Sequence, residues 1–210
     1  DRFLALDPPE ISELSFTNLF MWRKKNRPVW LEQDGCVSVI MRPMNSAPFG
    51  IQPFGTGDKG KALDTLFECL RNVFPQGQIQ RVGEGFVKKW VDRERYSCTF
   101  DRDNSDYVYL VQDLIDLAGR KYHRKKHQLN RFTRSYPFEY REMDAEMVEC
   151  FLDMQEEWCK MKDCEDNQDL VSEDYAIREA LTHFEELGYR GGAIQVDTKL
   201  EAISLGEMLD

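Results

Sequence analysis

Residues 106–134 read DYVYLVQDLIDLAGRKYHRKKHQLNRFTR. The first part predicts a strand, because Tyr107, Val108, Tyr109, Leu110 and Val111 are β-branched, aromatic or aliphatic without a break. The rest takes a helical period. At about 100° per residue, Leu114, Ala118, Tyr122, Leu129 and Phe132 share one face. Arg120, Arg124, His127, Arg131 and Arg134 fall nearly opposite. The four arginines span an arc of about 80°, which predicts an anion-facing side with Leu129 and Phe132 buried behind it. Lys125 falls on the apolar side, where it must snorkel or meet a buried acid. Residues 120–134 hold seven Lys or Arg and no Asp or Glu, in a chain whose net charge is −10. Three readings stay open. The face is solvated, or it docks something anionic through Arg120, Arg124, Lys125, Arg131 and Arg134, or it pairs with acidic segments of the same chain such as 163–169.

Upstream, strands and helices mix. Pro8 and Pro9 argue for irregular chain over 1–10. Residues 11–25 predict a short helix, with Leu14, Asn18 and Trp22 at helical spacing. Residues 29–31 and 36–41 predict a hairpin about Asp34-Gly35. A third strand over 48–54 carries Pro53, which suits an edge or an irregularity. Residues 59–74 predict a helix with Leu63, Leu66, Phe67, Leu70 and Phe74 inward, ended by Pro75 and Gly77. A strand over 78–82 and a short helix over 85–92 follow, the latter with Phe86 and Trp90 inward. Strands over 96–100 and 107–111 close the first half.

Downstream, a strand starts at Phe138 and runs to 143, and Asp144 can cap the helix after it. That helix carries Met147, Phe151, Met154, Trp158 and Met161 inward. An acidic loop at 163–169 leads to a helix capped by Ser172, with Ile177, Leu181 and Phe184 inward and Gly188 as its stop. A hairpin of 192–196 and 201–205 turns at Asp197-Thr198-Lys199.

The 210 residues suffice for one domain or two small ones, and 41% hydrophobic content supports a packed core. Mean hydropathy is −0.59, and no apolar run approaches the ~20 residues that span a bilayer. The net charge speaks against general nucleic-acid binding unless a local basic patch reverses it. Asp1 opens no signal peptide, and the absence of an initial Met suggests a fragment or processed chain. Six cysteines at 36, 69, 98, 150, 159 and 164 form no framework. Cys36, Cys69 and Cys98 read as core, and the set as reduced thiols, hence a cytoplasmic setting.

Other candidate chemistry is sparse. Gly55-Thr56-Gly57-Asp58-Lys59-Gly60-Lys61 has the spacing of a phosphate loop. Ala62 stands where a magnesium-binding hydroxyl belongs, so a plain turn into a helix is the expectation. His123 and His127 are one turn apart, but Arg124, Lys125 and Lys126 would repel a cation, and no metal site is expected. Glu156, Glu157, Glu185 and Glu186 read as solvated faces. Glu207, at the end of the last strand, is the candidate general base for an acyl acceptor.

The segment DYVYLVQDLIDLAGRKYHRKKHQLNRF resembles the signature of a bacterial family similar to the C-terminal catalytic domain of phosphatidylglycerol lysyltransferases. Asp106 to Tyr109, Asp113-Leu114, Leu117, Gly119-Arg120-Lys121, Asn130 and Phe132 carry the resemblance, and His127 stands where the family more often has Asn. Residues 14–22 and 191–207 fit as well. The resemblance implies an α+β fold of two GNAT-like acyltransferase modules in tandem, with the second truncated. They are expected over 1–112 and 135–210, joined by a basic helix over 113–134. It implies an acyl- or aminoacyltransferase that takes an acyl-CoA or an aminoacyl-tRNA as donor, with no resident cofactor. tRNA or an anionic lipid head group is the implied partner. The loop and helix that would hold a donor pyrophosphate are expected beyond Asp210, so this stretch alone is expected to be inactive. The alternative is a non-catalytic module that binds tRNA or another polyanion.

Overall fold

The computed structural model describes residues 2–8 and 10–208. Pro9, part of the irregular stretch expected at the start, and the last two residues lie outside them. The chain forms an α+β structure, and its described residues fall into two compact units, one up to Asp106 and one over 107–208.

The first unit opens with helix α1 (Arg2–Leu6), not irregular chain. Pro8 lies beyond it and only limits its length, while Leu4 enters the core. A 3-10 turn (Ser12–Leu14) precedes α2 (Phe16–Met21), whose N-cap Ser15 accepts from the Asn18 amide, and α3 (Arg23–Asn26). Strands β1 (Val29–Gln33) and β2 (Cys36–Met41) pair antiparallel through the Asp34-Gly35 turn, where both residues take positive φ. The third expected strand splits at Pro53 into β3 (Phe49–Ile51) and β4 (Phe54–Gly55), both antiparallel to β2. Helix α4 (Lys59–Val73) buries Leu63, Leu66 and Leu70 and leads to β5 (Gln78–Gln80), parallel to β3. The sheet is therefore mixed, in the order β1-β2-β3-β5 with β4 on β2. Its core gathers Leu4, Leu14, Val37, Val39, Met41, Phe49, Ile51 and Phe54. Helix α5 (Glu84–Trp90) buries Phe86. The next stretch is not a strand. Tyr96 instead bonds Asp64 of α4 through its hydroxyl at 2.6 Å, and Arg95 meets the other oxygen at 2.6 Å. Asp106 ties the end of this unit back to Ser12, at 2.7 Å to its hydroxyl and 3.0 Å to its amide.

The second unit corrects the reading of its opening segment. Residues 107–110 join neither sheet, and α6 (Val111–Asp116) starts where the strand was to end. The apolar run is exposed, not paired. The expected long helix is also broken. Leu117 caps α6 in the left-handed region at φ 46°, and Gly119 sits at φ 81°, so a 3-10 turn (Arg120–Tyr122) intervenes before α7 (His123–Ser135). Strand β6 (Phe138–Glu142) is followed by a 3-10 turn (Ala145–Met147), capped by Asp144, and by α8 (Val148–Met161). Phe151 and Met147 of the expected stripe are buried, but Met161 is exposed in the last turn. Helix α9 (Gln168–Thr182) begins before Ser172, because Asn167 caps it by accepting from the amides of Asp169 and Leu170. Ala176, Ala180 and Leu181 are its buried face. Gly188, at φ 67°, turns the chain into β7 (Arg190–Val196) and β8 (Lys199–Gly206). The sheet is antiparallel in the order β6-β7-β8. Gly192 belongs where it does because a Cβ there would meet the Tyr140 ring at 2.6 Å.

The cysteines depart from expectation. Cys69 and Cys98 are exposed, and only Cys36 of the expected core trio is buried. Cys159 and Cys164 are bonded to each other. The chain reverses after α8 through Asp163 in the left-handed region, which returns Cys164 to within 5.1 Å of Cys159, Cα to Cα. No helix among the described residues is long and apolar enough to cross a membrane.

Candidate functional site

The basic run forms its site from a break. Asp113, in α6, takes the Lys121 ammonium at 2.8 Å and the Tyr122 hydroxyl at 3.3 Å. Tyr122 is buried. The hydrogen bond from Lys121 holds the Asp113 carboxyl below the usual range and raises Lys121 in turn. Lys126 donates to the Asp116 carbonyl at 3.3 Å. These contacts fold the 3-10 turn onto α6 and set the direction in which α7 leaves. Two of the seven cations are thus used inside the unit.

The rest are not. Arg124, Lys125, Arg131 and Arg134 lie exposed along α7, and Arg120 is exposed in the turn before it. Among the described residues none of the five makes an ion pair or a side-chain hydrogen bond. Helix α7 buries no residue completely. Leu129, expected inside, is 49% exposed. Phe132 is half-buried, with its ring 5.4 Å from Tyr136 and 5.2 Å from Phe138. Lys125 needs neither a snorkelling path nor a buried acid, since the side on which it falls is itself open. Within the acidic stretch 163–169, Asn167 caps α9 and Cys164 is bonded to Cys159.

The glycine-lysine loop at 55–61 is filled by the protein. Asp7 accepts the Gly55 amide at 2.9 Å and the Lys59 ammonium at 2.5 and 2.6 Å. Asp58 caps α4 by accepting the Lys61 amide at 3.0 Å. The amides of Thr56 and Gly57 both bond the Gly35 carbonyl. A Cβ at Gly57 would collide with the Asp34 carbonyl, and one at Gly55 with that of Gly35. The glycines admit a neighbouring turn, not a phosphate. No local pattern signals Asp7, which lies far from Lys59 in sequence.

The remaining candidates separate. Glu207 is half-buried directly after β8. Glu156 pairs with Lys160 at 2.6 Å and Glu157 with Lys199 at 2.8 Å, which lowers both carboxyls. Glu186 bonds His183 Nδ1 at 2.7 Å. His123 and His127 are exposed, and no group of three or more potential metal ligands assembles among the described residues.

A family model described as phosphatidylglycerol lysyltransferase, C-terminal, matches residues 5–210. Among curated proteins nothing matches. The chain is similar to a solved structure titled a conserved protein of unknown function from Bacteroides thetaiotaomicron VPI-5482. The two share 28% identity with a TM-score of 0.83, over 100% of this chain and 72% of that one.

Proposed function

Because the chain belongs to the phosphatidylglycerol lysyltransferase C-terminal family, we propose that it is part of an acyl- or aminoacyltransferase built from tandem GNAT-like modules, with an aminoacyl-tRNA or an acyl-CoA as donor. The mixed, helix-flanked sheet of the first unit supports this reading. So does the order strand, helix, helix, strand, strand in the second. The single observation that carries the donor side is the set of exposed arginines Arg124, Arg131 and Arg134 on α7, which have no partner among the described residues. In a chain of net charge −10, such a patch is where a polyanion would dock against the general repulsion.

In the reaction so read, an acceptor hydroxyl or amine attacks the ester carbonyl of the aminoacyl group. A base takes the acceptor proton and returns it to the tRNA 3′ oxygen, which leaves as a hydroxyl. Glu207 is the candidate base, and Glu207→Gln should then lower the rate without weakening donor binding. The acceptor is a soluble molecule or a lipid head group met at its surface. Transfer of labelled amino acid from charged tRNA, assayed with the full protein, tests the proposal. tRNA binding without transfer would replace it by the alternative, a non-catalytic module that holds a polyanion on α7.

A further inference from the structure

The parallel strands β3 and β5 end in register, with Ile51 opposite Gln80, so Gln52 and Arg81 leave the sheet side by side. Ligands gather at the carboxyl ends of parallel strands, where the chain must turn away and leaves a crevice. A cavity of about 230 Å³ opens here. Its lining includes Glu13, Asn18, Trp22, Lys25, Asn26 and Arg81. A single water accounts for about 30 Å³ of liquid, so the space suits a small organic molecule.

Three features of Arg81 set it apart. Its backbone is in the left-handed region at φ 56°, though it neither caps a helix nor forms a hairpin turn. Such a conformation costs free energy in a residue with a Cβ, and it is held here by the Gly83 amide, which donates to Gln52 Oε1 at 2.9 Å. Second, Arg81 Nε is buried with no hydrogen-bond partner among the described residues. That atom is closed off from solvent, so a ligand in the cavity would meet the guanidinium at its Nη donors. Third, the guanidinium is positioned on both sides. It lies 5.3 Å over the Phe49 ring, and its Nη1 is 3.5 Å from Glu13 Oε1. That leaves the guanidinium fork, the group that best matches a carboxylate, incompletely used.

We propose that this cavity binds a small zwitterion of the α-amino acid class, with its carboxylate on Arg81 and its ammonium on Glu13. Glu13 decides between a simple anion and a zwitterion. Arg81 and Lys25 draw a carboxylate, Glu13 repels a bare one, and an ammonium beside that carboxylate turns the Glu13 contact into attraction. Asn26 offers a side-chain amide that makes no other hydrogen bond among the described residues. Leu19, Trp22 and Met41 give the ligand's carbon skeleton an apolar wall. The site lies wholly in the first unit, and its argument is independent of the transferase reading.

The test titrates the protein with each of the twenty free L-amino acids, with acetate and with methylamine, by calorimetry and thermal shift. At least one amino acid should bind one-to-one with a Kd of millimolar or below and raise Tm, and acetate and methylamine should do neither. Arg81→Gln should weaken that binding at least tenfold. Arg81→Gly should weaken it equally while Tm stays level or rises, because glycine accepts the left-handed backbone without strain. The Arg81→Gly result stands even where Arg81→Gln fails to fold. Absence of binding by every amino acid would overturn the proposal. Binding that survives Arg81→Gly would overturn it too, and acetate binding as tightly as the amino acid would overturn the role of Glu13.

Discussion

Ile51 lies on an inner strand of the first unit's sheet and Tyr140 halfway along an edge strand of the second unit's, and their surroundings differ sharply. Ile51 is fully buried, on a sheet that packs against α4 and the residues of α1 and the 12–14 turn. Tyr140 is 65% exposed, and every residue of β6 is exposed with it. The same contrast holds for the charges. In the first unit Lys59 is locked onto Asp7, and Arg95 onto Asp64. In the second, the arginines of α7 have no partner among the described residues. Fully burying a large apolar side chain stabilises by about 1.5–3 kcal/mol, and the second unit forgoes this at Val108, Leu110, Leu129 and Tyr140. The contrast is local, between the first unit's core and the second unit's β6 and α7, since Trp30 and Val73 of the first unit are exposed and Arg178 of the second is paired with Asp174.

The contrast is broken most directly at the core. Ile51→Ala should cost about 2–5 kcal/mol, and Phe151→Ala, at a fully buried side chain of α8, about 3–5 kcal/mol. Tyr140→Ala should change stability by no more than about 0.5 kcal/mol. Urea unfolding followed by tryptophan fluorescence checks this, with Trp30 and Trp90 reporting the first unit and Trp158 the second. A Tyr140→Ala cost equal to that of Ile51→Ala would show that β6 is covered in solution.

A smaller effect comes from the bond between Cys159 and Cys164. Closing so short a loop is worth about 2 kcal/mol on the chain-entropy account. Reduction, or Cys159→Ala, should therefore lower the transition seen by Trp158 and leave the one seen by Trp30 and Trp90 in place. The other four cysteines are free, and burial pushes the Cys36 thiol up, away from reactivity. Equal loss in both units would mean that they unfold together.

The Asp64, Arg95 and Tyr96 cluster gives an effect of about 1 kcal/mol, the ordinary worth of a hydrogen bond. Burial and the bond to Asp64 push the Tyr96 phenol up to about 12. Burial acts upward on Asp64 as well, but Tyr96 and Arg95 outweigh it and leave that carboxyl lowered. The signs differ. Tyr96 is raised above its unfolded value of about 10, so its contribution is complete below about pH 10 and is lost as pH rises through about 12. Asp64 is lowered from about 3.9, so its contribution is present above that and is lost as pH falls through the folded value. Absorbance titration should show one tyrosine ionising late, and Tyr96→Phe should remove it.

Where the sequence signal was local, it was legible. The Asp34-Gly35 hairpin, the buried stripe of α4 and the 197–199 turn follow from spacing and turn chemistry alone. So does the plain turn at 55–61. What failed was tertiary. Residues 107–111 have strand composition, but no strand pairs with them. The helix period across 114–132 hid a break at Leu117, because leucine carries no signature of the left-handed region it occupies. Cys159 and Cys164 met only because Asp163 reverses the chain. Arg81, set by a register between β3 and β5, showed no sequence signal at all.

The smallest expected effect on stability is also the one that tests the basic helix. Arg124 and Arg131 are exposed on α7 and make no ion pair among the described residues, so folding gains nothing measurable from their charge. Exposed pairs would in any case give only ~0–1 kcal/mol each. Replacing both with Gln keeps length and helix propensity, and Tm should stay nearly unchanged. Binding should respond differently. If α7 meets a phosphate backbone, each lost contact lowers affinity and flattens the salt dependence, by up to about 0.9 units of slope for duplex-like nucleic acid. The two readouts separate the two roles, since a structural ion pair would move Tm and leave the slope alone. A measured slope with tRNA that is identical in the native protein and the double variant would remove α7 from the docking surface. A fall in Tm of several degrees would place partners on these arginines that the second unit does not show.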